Sequence, residues 1–459
     1  MKLKLVKLFM AIAILSGVFS CGEFLDEKPS KNIVVPSSIE DLQSILNAVD
    51  NINVGDSYGI LLSDDIYTTD EGWLGYSEHV REGYIWNMQM SNAQGDVATW
   101  SGAYSNIFKF NIVLEESEKI LPEDESEIRQ LEIIKSSALF LRSFNYFELL
   151  QMFTHPVLSD ADLEREGIPL KLTPDFDDLK GKSTIGDIYG QIIADLNTAA
   201  EILPESSEDV LRPSKAASLG LLSQIYLQLG DYVKALDHAQ QALEIKSALL
   251  DYNSIPALWD IPIPLYNYPI PRFNEEVIIH LLTGSQSYMG SFNTFANREV
   301  YASYDENDIR KYLYFTEPDE EGRVNYLGSY SGDFRIFAGI TTAELFLIKA
   351  ETLARTGREE EALEVINRVL EARYFDGSFE PLGLGAGESV LEIVLVERRK
   401  ELIYRGMRRW SDMRRFLRDP GWSGIAPRTI DGVEYDLGLS PENYMLEIPL
   451  NEQQRNDAI

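Results

Sequence analysis

The segment from Asp64 to Asn87 concentrates side chains suited to reversible recognition of a polar ring. It supplies Asp64, Asp65, Tyr67, Asp70, Trp73, Tyr76, Arg81, Tyr84 and Trp86. Flat aromatic faces stack on the C–H faces of a pyranose, and planar carboxylate and guanidinium groups pair with its hydroxyls. Trp73 and Tyr76 are the expected stacking platforms, with Asp70 and Arg81 as hydroxyl partners. Trp73 lies between Gly72 and Gly75, which favours an exposed loop position, whereas Trp86 and Trp100 are expected in the core. A second set of such groups, Tyr288, Phe292, Asn293, Tyr326 and Tyr330, lies far downstream.

Other constellations fail as catalytic or metal sites. Gly181-Lys182-Ser183-Thr184 resembles the end of a phosphate loop, but Phe176 occupies the place of its first glycine. Ser183 or Thr184 is better read as a helix cap. The histidines His79, His155, His238 and His280 are scattered and form no metal-binding pair. With 74 acidic residues in the chain, a pair of carboxylates carries no information about glycoside hydrolysis. No catalytic residue, metal or cofactor is expected.

The elements that must position these groups are mostly helical. Apolar periodicity predicts helices over Ile39–Val49, Trp100–Leu121, Glu127–Phe153, Thr184–Leu203, Lys215–Leu229, Tyr232–Ser247, Thr342–Arg355, Glu359–Arg373 and Val390–Arg405. Tyr58–Gln94 reads as loop-rich. Tyr252–Gly339, with Pro256, Pro262, Pro264, Pro269 and Pro271, reads as loops with short strands. Gly230, Ala235 and Leu236 recur at one offset as Gly357, Ala362 and Leu363, a tetratricopeptide-like pattern. The glycine permits the turn between antiparallel helices, the alanine permits close packing, and Tyr226 fills the space between them. The fold class expected is mainly α: a helix-pair scaffold with a large loop-rich insertion. The stretch Arg398–Arg415 is basic, but its acids at Glu397 and Glu401 predict a solvated or internally paired helix.

The start of the chain has its own signature. Lys2, Lys4 and Lys7 precede the apolar run Leu8–Val18, and Ser20 stands before Cys21, the only cysteine. This is the layout of a secretory signal, too short for a membrane span. A cysteine at that point is the expected site of lipid attachment. The net charge of −33 argues against nucleic acid as a partner. The expected organisation is a signal at 1–20, a lipidated tether at 21–38, a helical region at 39–250, an insertion at 251–340 and a C-terminal helical region at 341–459.

Five stretches, in order, resemble the SusD/RagB family of outer-membrane lipoproteins. These are Cys21-Gly22-Glu23-Phe24-Leu25-Asp26, Ala138–Leu149, Ala194–Ala199, Glu397–Leu402 with Arg408–Met413, and Ile448-Pro449 with Glu452 and Asn456. The family commonly has proline after the last asparagine, where this chain has Asp457. The resemblance implies a non-catalytic, lipid-anchored protein of the outer membrane. It would capture oligosaccharide and deliver it to a SusC-type TonB-dependent barrel transporter. In the RagB branch the ligand is peptide. The resemblance also implies ligand contacts from the early loop region and the insertion, here Asp70, Trp73, Tyr76, Arg81, Tyr288 and Tyr326. A surface glycoside hydrolase and a scaffold that binds only protein are the competing readings.

Overall fold

The computed structural model describes residues 36–459, except 49–51, 53, 56, 89–97, 176–177, 256–267, 285–287, 290–291, 329, 333–334, 386–388 and 457. Cys21 and the signal-like leader lie outside the described residues. Residues 39–459 form one compact unit. No helix among the described residues is long and apolar enough to cross a membrane.

Helices Ala98–Ser117, Glu125–Phe153, Ile185–Ile202, Lys215–Leu229 and Tyr232–Ile245 pack each on the next. The helix Thr342–Arg355 then packs directly on Tyr232–Ile245, and is followed by Glu359–Glu371 and Val390–Glu401. The two repeat-like pairs are thus neighbours in space, and the insertion loops out of an uninterrupted stack. Local chemistry explains their turns. Gly230 and Gly357 adopt φ of +77° and +78°, which side chains with a Cβ resist. Asp231 then caps the next helix, its side chain accepting from the Lys234 amide at 3.1 Å. Tyr226 stacks on His238 across the pair at 5.2 Å between ring centroids. Thr184 caps Ile185–Ile202 by accepting from the Asp187 amide at 3.0 Å.

The segment expected to be loop-rich instead contains the short helices Tyr58–Leu62, Asp70–Leu74 and Glu78–Tyr84, with a strand at Ile66–Thr68. Elements this short bury too little to leave a legible period. Five two-stranded ladders occur among the described residues; two of them tie the insertion to the early chain, and a third closes it on its own end. Val54–Gly55 pairs with Leu282–Thr283, Ile66–Thr68 with Thr294–Ala296, and Val277–Ile279 with Ile340–Thr341.

The basic stretch is neither a solvated face nor a helix paired mainly with itself. Most of its arginines are buried, and several bind acids from across the chain. Arg398 and Arg415 meet at Asp412, at 2.8 and 2.9 Å. Arg415 also reaches Glu351 at 2.7 Å, and Arg408 reaches Glu344 at 2.6 Å. Glu401 binds Arg310 at 3.2 Å and Arg373 at 2.9 Å, and Arg373 continues to Glu276 at 2.7 Å. Leaving one member of such a group unpaired in the interior costs about 3–5 kcal/mol.

Burial raises the Asp412 carboxyl, but Arg398 and Arg415 more than offset it and hold the pKa at about 2. A carboxylate depressed in the folded state stabilises the fold above its ordinary pKa, and that stability is lost as pH falls through the folded value. Urea titration is therefore expected to show about 2 kcal/mol from Asp412 disappearing between pH 5 and pH 2. Asp412→Asn is expected to flatten that acid slope. An unchanged slope in the variant would contradict this assignment.

Candidate ligand surface

The two candidate sets, more than two hundred residues apart, are brought together by one antiparallel ladder: Ile66 opposite Ala296, Tyr67 opposite Phe295 and Thr68 opposite Thr294. Strand alternation turns Ile66 and Thr68 inward and leaves Tyr67 half-exposed. Tyr67 and Phe295 form a tilted ring pair at 5.4 Å. Arg298 lies 5.3 Å over Tyr67 and donates Nε–H to its hydroxyl at 2.9 Å, and Arg323 lies 4.8 Å over Phe295.

The start of the strand is anchored by ions. Arg409 holds Asp64 at 2.6 Å, and Arg399 holds Asp64 at 2.9 Å and Asp65 at 3.2 Å. Burial pushes the Asp64 carboxyl up, but the two guanidinium groups bring it well below the usual carboxylate range. Asn297 then clasps the carbonyls of Asp64 and Asp65, at 2.7 Å through Nδ2 and 2.8 Å through its backbone amide.

Next to the ladder, Thr69 caps the helix Asp70–Leu74 by accepting from the Gly72 amide at 3.1 Å. A Cβ on Gly72 would stand 2.3 Å from Thr68 Oγ1 and 2.8 Å from Asn293 Cβ. Glycine alone allows this helix to sit against residues 292–294. The helix presents Trp73, half-buried, and Leu74, 65% exposed. The Trp73 indole donates to the Arg81 carbonyl at 3.1 Å, and the Arg81 guanidinium lies 5.6 Å from its ring centre. Arg81 also donates to the Tyr76 carbonyl at 3.4 Å. Phe292, 59% exposed, and Asn293 project from the facing strand's lead-in. Asp70 is exposed and accepts from the Asp431 amide at 3.0 Å.

Several expected ligand residues prove structural. Tyr76 is buried and its hydroxyl is hydrogen-bonded to Thr294 Oγ1, so its ring offers no open face. Tyr288 is fully buried and donates to the Ser57 carbonyl at 2.6 Å. Tyr330 is fully buried, bound to Glu276 at 2.6 Å and to Tyr252 at 2.8 Å. Tyr326 is half-buried and stacked face to face on Tyr404 at 4.3 Å. Trp86 and Trp100 are in the core, as expected. The surface that remains combines Tyr67, Asp70, Trp73 and Arg81 with Phe292 and Asn293. Arg298 and Arg323 went unnoticed in the sequence, because only the ladder register places them over aromatic rings.

The fold and surface define a helical-repeat scaffold that displays a small aromatic and charged face. Two family models match in order: a SusD-like model described as starch-binding and associating with the outer membrane, over residues 23–227, and a SusD family model over 336–457. A tetratricopeptide-repeat model matches residues 216–249. SusD-like protein P2 of Formosa agariphila is 24% identical, over 98% of this chain and 97% of that protein. A putative sugar binding protein from Bacteroides vulgatus shares the fold, with a TM-score of 0.71 and 23% identity over 92% of this chain and 98% of that one. Surface glycan-binding protein A from Bacteroides uniformis shares it with a TM-score of 0.67 and 18% identity, over 92% and 99%. The chain belongs to the SusD/RagB family.

Removing a hydroxyl that serves structure alone costs stability without touching the exposed face. Tyr288→Phe, which leaves the Ser57 carbonyl with the Ile60 amide at 3.1 Å but without its hydroxyl donor, is expected to lose about 1 kcal/mol in urea unfolding and to leave ligand affinity unchanged. A fall in affinity at unchanged stability would return Tyr288 to the ligand surface.

Proposed function

We propose that this protein is a non-catalytic receptor that captures an oligosaccharide at the surface around Trp73 and delivers it to a SusC-type TonB-dependent barrel. The observation that carries this reading is the ladder between Ile66–Thr68 and Thr294–Ala296. It sets Trp73 and Arg81 on one side of the helix–strand contact and Phe292 and Asn293 on the other. Half-exposed rings beside planar hydrogen-bonding groups suit a glycan. The family's description as starch-binding, and the glycan-binding name of the Bacteroides uniformis protein, support the same ligand class. A peptide of the RagB kind is the second reading, because the same rings and charges accept apolar and polar side chains. Lipid on Cys21 anchors the body at the outer membrane, and residues 22–38 act as its tether.

The test is a glycan array probed with the full chain in detergent, alongside a peptide pool. Binding to at least one glycan is expected, with no release of reducing ends, and Trp73→Ala is expected to weaken it at least tenfold. Binding to peptides alone would replace the ligand class, and turnover would overturn the non-catalytic reading.

The anchor has a separate test. Cys21→Ala is expected to abolish surface retention on intact cells while the purified protein keeps its glycan affinity. Normal membrane levels of the variant would remove the lipid from the account.

A further inference from the structure

A cleft of about 660 Å³ opens among the helix Ile39–Asn47, the helix Ala98–Ser117 and the middle of Glu125–Phe153. It shares no lining residue with the Trp73 surface. Ile45, Ile52 and Leu149 make it partly apolar. The helix Ala98–Ser117 turns Gly102, Asn106 and Lys109 toward it, a spacing that puts all three on one face. A Cβ on Gly102 would meet nothing within 4 Å, so the backbone there lies bare to the cleft.

Two of its amide side chains are largely buried, and each keeps one polar atom open to the cleft. Asn145 is 3% exposed, and Nδ2 donates to the Leu141 carbonyl at 2.8 Å. Among the described residues, nothing donates to its Oδ1. Asn106 is 6% exposed, and its Oδ1 accepts from Lys109 Nζ at 3.0 Å. Among the described residues its Nδ2 has no acceptor. Neither amide atom is fully enclosed: both open onto the cleft, where water or a ligand can bond them. Lys109 has no carboxylate within ion-pair distance among the described residues, although the chain carries a net charge of −33. Burial pushes its ammonium pKa down. Glu148, already engaged, adds a buried carboxylate to the same wall.

We infer that this cleft is a second binding site, and that it takes an acidic sugar: a pyranose ring bearing one carboxylate, of the uronic-acid class. The carboxylate answers the ammonium of Lys109, which donates to the neutral Asn106 amide and has no counter-charge among the described residues. Hydroxyls, which both donate and accept, answer Asn106 Nδ2, Asn145 Oδ1 and Glu148 together. The apolar wall of Ile45 and Ile52 receives a C–H face. The choice of a sugar over another small carboxylate rests on the glycan reading above.

Calorimetry on the full chain in detergent tests this, with glucuronate, glucose, acetate and diglycine as probes. Glucuronate is expected to bind at least tenfold more tightly than each of the other three. Lys109→Met is expected to lose at least tenfold in glucuronate affinity. Gly102→Leu fills open space and replaces a poor helix former with a good one. It is expected to block glucuronate without lowering the melting temperature. Glucuronate affinity unchanged in both variants would overturn the assignment. So would acetate binding as tightly as glucuronate, which marks a simple anion site, or diglycine binding more tightly, which marks a peptide site. Glucuronate binding with no oligosaccharide on the array would sink only the Trp73 reading. Oligosaccharide binding with glucuronate indifferent to both variants would sink only this one.

Discussion

Everything in the molecule converges on the buried lattice of arginines and carboxylates between Glu397 and Arg415. A guanidinium taken out of water is tolerated only where carboxylates or carbonyls meet it in good geometry. Here Asp64 and Asp65 near the start and Glu344 and Glu351 in the second helix pair meet its arginines, while its own Glu401 takes Arg310 from the insertion and Arg373, which Glu276 also holds. The lattice closes only when all three regions have reached their native places. Arg414 follows the same constraint without an acid: it donates to the carbonyls of Leu150 and Thr154, at 3.2 and 2.9 Å, and burial lowers its pKa to about 10.

The lattice reaches the proposed ligand surface in two steps. Arg399 and Arg409 fix Asp64 and Asp65, and these residues lead directly into the strand Ile66–Thr68. That strand holds the insertion by its ladder, and Gly72 lets the Trp73 helix sit against Asn293. A loop surface is positioned by a rigid scaffold through a chain of contacts that can be named residue by residue. The stacking of the two repeat pairs, Tyr232–Ile245 on Thr342–Arg355, forces the intervening insertion outward, where its exposed rim joins the early segment.

Much of this was legible in the chain. The long helices announced themselves by apolar period, and Gly230 and Gly357 marked their turns, because turn chemistry and helix periodicity are local. The motif Glu397–Met413 was visible too, but its meaning was not. The sequence places Glu397 and Glu401 beside the arginines and conceals that Asp412 is shared and that Glu351 and Glu344 come from another helix. The site residues were read by type, and type does not separate an exposed ring from a buried one. The partner that buries Tyr76 is Thr294, 218 residues away, and Tyr288 owes its burial to Ser57, 231 residues away. Short strands such as Thr294–Ala296 have no period long enough to reveal such pairings. Phe292 and Asn293 were found by composition, and their juxtaposition with Gly72 required the fold.

The central claim is that a ligand is held across the junction of Asp70–Leu74 with residues 292–294. Hydrogen–deuterium exchange of the full chain in detergent, with and without a bound oligosaccharide, tests it directly. The account predicts slowed exchange confined to Thr68–Tyr84 and Phe292–Arg298, both segments responding together. Protection of only one segment, or protection centred on the helix pair Lys215–Ile245, would contradict it.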